Sequence, residues 1–149
     1  MKAEKSKLKR DKLEIKSRTE NLAEIRKFIN SAATEAGFSK EAIDNIILSV
    51  DEACTNIIKH AYKYFPEGKI ILTLKADKKT FTVDIIDYGK SFDPGLVPNP
   101  DLRKYFDEKR VGGIGMYLMK SLMDEVKYIS VPGKFNQVSL TKNINSNGR

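Results

Sequence analysis

Residues 39–62 read SKEAIDNIILSVDEACTNIIKHAY, and this stretch decides the fold. Within it Ile43, Ile46, Ile47, Val50, Ala53, Cys54, Ile57, Ile58 and Ala61 recur at three- and four-residue intervals. That spacing winds into one apolar stripe over about five helical turns, opening near Ser39. Opposite the stripe run Asn45, Ser49, Glu52, Asn56 and His60. Glu52 and Asn56 are four residues apart, so they sit one above the other. A carboxylate and an amide oxygen stacked this way suit a hydroxyl or water on one side and a hard cation on the other. A solvated helix face is the plainer reading of the same row. Ala53-Cys54-Thr55 are small for a helix otherwise rich in isoleucine, which leaves room for something to approach.

Upstream, residues 12–17 (KLEIKS) alternate and predict a first strand. Ser17 and Glu20 fit a capping box, followed by Leu22, Ile25, Phe28 or Ile29, Ala32 and Ala36 at helical spacing and by Gly37 as a C-cap. Downstream, Phe65-Pro66-Glu67-Gly68 ends the decisive helix. KIILTLKA (69–76) puts Ile70, Leu72 and Leu74 on one face, Asp77-Lys78-Lys79 turns the chain, and TFTVDIID (80–87) puts Phe81, Val83 and Ile85 on one face. From Tyr88 to Gly113 regularity lapses: five of the nine glycines lie between residues 89 and 115 and three of the five prolines between 94 and 100. A loop this long inside a domain is usually functional, often a lid. A third helix over IGMYLMKSLM and two strands, EVKYISV and FNQVSLTK, joined by Pro132-Gly133, complete the pattern. The expected fold is α/β (α+β): a two-layer sandwich of three helices on one face of a mixed, mostly antiparallel sheet. One domain over 12–142 is expected, flanked by flexible tails at 1–11 and 143–149.

With 149 residues the chain has one domain's worth of core. Cys54 and His60 are the only residues of their types, which excludes an internal disulfide, a multi-cysteine zinc site and a His-rich metal centre. Net charge is +7, but residues 1–12 hold six Lys/Arg against Glu4 and Asp11, so most of the excess sits at one end. A nucleic-acid binder would spread a basic stripe over the folded surface. No apolar run approaches the ~20 residues of a membrane span, and MKAEKSKLKRDK lacks the apolar stretch of a signal peptide. A cytoplasmic location is expected.

Two further clusters carry chemistry. The parity of Phe81, Val83 and Ile85 continues to Asp87, which turns a carboxylate toward the helical layer, where burial is costly without hydrogen bonds. It either braces its own turn, with Gly89 permitting the bend, or accepts from a ligand amino group. Gly112-Gly113-Ile114-Gly115 stands before the third helix, where free backbone N–H groups can face an anion; a plain glycine-rich turn reads the same way. No Gly-Lys-Ser/Thr follows, so it is not a Walker A loop.

Taken in order, VDEACTNIIKHAY, DYGKSFDP, a long loop and GGIGMYLMKSLMDEV resemble the three boxes of the GHKL, or Bergerat-fold, ATP-binding superfamily. Within it the chain is most similar to the bacterial anti-sigma-factor serine kinases, over roughly residues 15–142. The resemblance implies that Glu52 is the catalytic base for the attacking hydroxyl. It implies that Asn56 holds Mg²⁺ against the nucleotide phosphates and that Asp87 accepts from the adenine exocyclic amino group. Gly89 would let the chain pass close to the base. Gly112, Gly113, Ile114 and Gly115 would present the phosphate loop, with residues 92–111 as an ATP lid and Arg103, Lys104 and Arg110 as its cationic candidates.

By resemblance the reaction is ATP-Mg²⁺-dependent phosphorylation of a serine on an anti-anti-sigma antagonist. The partner held otherwise is a sigma factor, and the protein is a homodimer. The alternative is a non-catalytic ATP/ADP-binding switch that captures partners without chemistry; direct nucleic-acid binding and membrane insertion are not expected. Val111 departs from the first glycine of the sensor histidine kinases' Gly-x-Gly-Leu-Gly, and no phosphoacceptor-histidine helix is present. Where the superfamily often has Gly-Thr near adenine, this chain reads Phe135-Asn136-Gln137, and that contact has no obvious counterpart. His60 belongs to the local pattern without a catalytic duty.

Overall fold

The computed structural model describes residues 9–91 and 119–144. Strand β1 (Lys9–Lys16) leads through a 3-10 turn (Thr19–Asn21) into α1 (Leu22–Glu35). Helix α2 (Lys40–Asn56) continues directly as a π-turn (Ile57–Ala61). Strands β2 (Lys69–Ala76), β3 (Thr80–Asp87), β4 (Glu125–Val131) and β5 (Phe135–Asn143) follow, and residues 119–122 are the described part of the third helix.

The sheet order is β1-β2-β3-β5-β4. All four pairings are antiparallel, where a mixed, mostly antiparallel sheet was expected. The reason lies in the connections. Two helices join β1 to β2 and return the chain antiparallel. β4 does run in the same direction as β3, as a helical crossover requires, but the tight β4–β5 turn inserts β5 between them. That turn has Gly133 at φ +78° and a Lys134 N–H to Val131 carbonyl bond of 2.8 Å.

The local signals resolve in two ways. Ser39 caps α2 by accepting from the Ala42 N–H at 3.2 Å. Gly37, at φ +96°, ends α1 in a Schellman motif: Phe38 N–H bonds Ala33 O at 3.3 Å and Gly37 N–H bonds Thr34 O at 3.0 Å. The Ser17 capping box does not form; neither Arg18 nor Asn21, the residues at the two helix starts, makes a side-chain cap. Ser17 is buried instead, donating to the Phe65 carbonyl and accepting from Gly68 N–H at 3.0 Å. It ties the end of β1 to the turn before β2, so β1 starts at Lys9 and stops one residue before Ser17.

One core joins both layers. Ile25, Ile29, Ile46 and Val50 from the helices meet Ile70, Leu72, Val83, Ile85 and Leu140 from the sheet, and Met119 of the third helix packs into the same cluster. Each fully buried aliphatic side chain contributes about 1.5–3 kcal/mol relative to exposure. The α2 stripe is therefore fixed in rotation, and with it every residue on its other side.

Candidate functional site

Because α2 is locked by its stripe, its opposite row has a defined environment, and that row is not a solvated face. Ser49 is 1% and Asn56 7% exposed, Asn45 and Glu52 are half-buried, and only His60 is exposed. Asn56 opens onto a cleft of about 480 Å³, within the range of small-molecule sites. Ala53, Asn56 and Ile57 form its helix side and Asp87 its floor at the end of β3. Ser91, Tyr128, Ile129, Ser130, Pro132, Asn136, Gln137 and Val138 close the sheet side.

Asp87 faces inward as its parity predicts and is 3% exposed. Its Oδ1 accepts from Gly89 N–H at 2.9 Å and from Asn136 Nδ2 at 2.9 Å. The turn-bracing role is thus real, but it occupies one oxygen. Burial raises the Asp87 carboxyl above its ordinary range, against the lowering effect of these two bonds. The Glu52 carboxyl is also raised, chiefly by burial; Lys59 opposes this and the neighbouring Asp51 adds to it. Glu52 is not among the cleft-lining residues; it lies one turn back from Asn56 on α2.

Gly89 is required by a close approach to protein. A Cβ there would lie 2.5 Å from the Ala61 carbonyl oxygen, which accepts from Lys90 N–H at 2.7 Å. Tyr62 makes the neighbouring tie: its hydroxyl donates to Lys69 O at 2.6 Å and accepts from Tyr88 N–H at 2.8 Å. The π-turn after Asn56 thereby clamps the end of α2 to the segment after Asp87, a placement typical of such turns. Two walls of the cleft are held in one frame.

Sequence reasoning missed Asn136, Ser91 and Ser130 as a connected group, and Tyr62 as a clamp. The β3–β5 register places Asn136 directly opposite Asp87, a relation only the strand pairing reveals. Asn56 and Asp87 line one cleft, with Gly89 joined to Asp87. Arg103, Lys104, Arg110, Gly112, Gly113, Ile114, Gly115 and the 92–111 stretch lie outside the described residues.

Among the described residues no group of three His, Cys, Asp or Glu is arranged to hold a metal. A protein-caged ion is therefore not supported there. The donor chemistry does fit Mg²⁺, which takes one or two protein oxygens and completes its shell with water and phosphate. The Asn56 amide and the Glu52 carboxylate are hard oxygen donors of that kind. No described helix is long and apolar enough to cross a membrane.

Comparison with known proteins agrees with this architecture. A family model described as a histidine kinase-like ATPase domain matches residues 15–142. A serine-protein kinase RsbW of Bacillus licheniformis is 34% identical over 143 residues, covering 91% of this chain and 87% of the relative. Proteins of the same name from Bacillus subtilis (strain 168), 31% identical over 89% of this chain and 84% of theirs, and from Listeria monocytogenes, 33% identical over 89% and 86%, are similar along their length. With the family model covering residues 15–142 and relatives at least 30% identical along most of their length, the chain belongs to the histidine kinase-like ATPase domain family.

Proposed function

We propose that this protein is an ATP-dependent protein serine kinase of the anti-sigma-factor type. It holds a sigma factor inactive in the cytoplasm as a homodimer and phosphorylates a serine of an anti-anti-sigma antagonist. The observation that carries the proposal is the placement of Asn56 and Asp87 on one cleft, with Glu52 one turn back along the same helix. The likeness to proteins named serine-protein kinase supports a kinase over a bare nucleotide-binding module.

Asp87 Oδ2 accepts from the exocyclic amino group of adenine; guanine offers a carbonyl there and is rejected. The apolar walls supplied by Ala53, Ile57 and Val138 hold the purine ring by burial. The Asn56 amide oxygen, on the same cleft, would hold a hard cation at the phosphates. Mg²⁺, when bound, neutralises phosphate charge. Glu52 accepts the proton of the attacking serine hydroxyl, and its raised carboxyl pKa brings its basicity closer to neutrality than an exposed glutamate's. The family resemblance assigns the phosphate side to Gly113, Gly115 and one of Arg103, Lys104 and Arg110, which lie outside the described residues. Phosphoryl transfer asks little beyond such positioning and charge neutralisation.

The test is transfer of γ-phosphate to whatever co-purifies with the protein, with the phosphosite mapped. Glu52→Gln should cut the rate by about 10²–10⁴-fold with ATP affinity kept within a small factor. Undiminished transfer in Glu52→Gln would remove the assigned base, and nucleotide binding with no transfer to any partner would leave only the switch-module reading.

A further inference from the structure

Both amide hydrogens of Asn136 are committed within the protein. Its Nδ2 has two hydrogens, which go to Asp87 Oδ1 at 2.9 Å and to the Gly89 carbonyl at 3.2 Å. Its Oδ1 stands 2.7 Å from Ser130 Oγ and 3.1 Å from Ser91 Oγ, which are themselves 2.9 Å apart, so two hydroxyl hydrogens serve three contacts and Oδ1 accepts at least one of them. No donor of Asn136 is left over for a base in the cleft that it lines. Asp87 Oδ1 is filled in the same way, by Asn136 and by Gly89 N–H. A carboxylate alone can rotate about its terminal torsion, which is broad and two-fold. Here two donors converge on one oxygen and stop that rotation.

We propose that Asn136 is a positioning residue: anchored by Ser91 and Ser130, it locks the Asp87 carboxylate so that only Oδ2 faces the adenine amino group, and it does not touch the base itself. This rests on the nucleotide reading above and adds to it a residue on a distant strand whose role is exerted through Asp87. The lock has an electrostatic consequence. Burial raises the Asp87 carboxyl pKa, and the Asn136 and Gly89 bonds oppose the rise. Among the described residues, the titratable groups near Asp87 include Cys54 of α2, Tyr62 beyond it and Tyr128 across the cleft; burial raises all three, so all stay neutral at pH 7. Without Asn136 the carboxyl must therefore rise further. A protonated Oδ2 presents a donor to a donor, so affinity is present above the carboxyl pKa and lost as pH falls through it. Removing Asn136 moves that loss to higher pH.

The experiment is calorimetric titration of ADP with Mg²⁺ into the full chain as wild type, Asn136→Leu, Asp87→Ala and the double variant, across pH 5 to 8. Asn136→Leu should bind about tenfold more weakly, with its acid limb at higher pH than the wild type's. In the Asp87→Ala background the same change should cost no more than about twofold. Ser130→Ala, on the solvent-exposed side of the network, should show a smaller loss that likewise vanishes without Asp87. Asn136→Leu binding like the wild type would overturn the lock, and so would a full loss persisting in the Asp87→Ala background, because Asn136 would then read the base directly. A wild-type chain that fails to bind ADP at all would overturn the nucleotide reading instead.

Discussion

Asp87→Asn separates binding from stability by sign. Oδ1 accepts from Gly89 N–H and Asn136 Nδ2 and is 2.9 Å from each. In the variant only the amide oxygen can occupy that position, because an NH₂ there would face two donors. The amide nitrogen is forced to the Oδ2 side and points a donor at the adenine amino group. One charge-assisted acceptor is lost and a donor-donor contact replaces it, worth about 2–3 kcal/mol, or about 30- to 150-fold in ATP affinity. The unliganded fold responds oppositely. Burial raises the Asp87 carboxyl in the folded state, so the folded protein binds that proton more tightly than the unfolded chain. Stability therefore falls as pH rises from the unfolded pKa through the folded one. A neutral amide removes that loss, so at pH 7 thermal unfolding of the free variant should occur at or above the wild-type temperature. Calorimetric titration with ATP and a thermal melt of the free protein measure the two arms. Wild-type affinity, or weakened binding matched by a lowered melting temperature, would refute the assignment of Asp87 as a reading group.

Three further outcomes follow from packing. Gly89→Ala sets a Cβ 2.5 Å from the Ala61 carbonyl oxygen, a backbone atom that cannot swing aside, and should cost about 1–3 kcal/mol in urea unfolding while loosening nucleotide binding. Tyr62→Phe keeps the ring and leaves Tyr88 N–H without its 2.8 Å partner; about 1–3 kcal/mol of stability should go, with faster amide exchange at residues 88–90 than in β2. Ser49 Oγ is buried with no hydrogen-bond partner among the described residues, so Ser49→Ala should leave stability unchanged or raise it by up to about 1 kcal/mol, read from the urea midpoint.

What the sequence made legible was whatever depends on period and parity. The α2 stripe, the Ser39 cap, the Gly37 stop, the faces of β2 and β3 and the inward turn of Asp87 all follow from spacing alone, and all are present. What stayed hidden depends on strand order. Nothing in residues 80–91 points to Asn136, because β5 reaches β3 only after the third helix and the β4 hairpin, and the pairing of Asp87 with Asn136 is a fact of register. The mostly antiparallel sheet is present, and its expected parallel component is missing for the same reason, since the chain direction of β4 is right and its neighbour is β5. Ser17 misled because a serine three residues before a glutamate has the capping pattern whether or not a distant turn competes for its hydroxyl; Phe65 and Gly68 won that competition.

On the proposed function, one nucleotide contacts both Asn56 and Asp87 across the cleft. Titrating Mg²⁺-ATP into the ¹⁵N-labelled full chain and following amide shifts tests it residue by residue. The largest shifts should fall on both walls together, at Asn56 and Ile57 on α2, Gly89 after β3 and Asn136 to Val138 on β5, with little change on β1. Saturable binding that leaves either wall unmoved would contradict it.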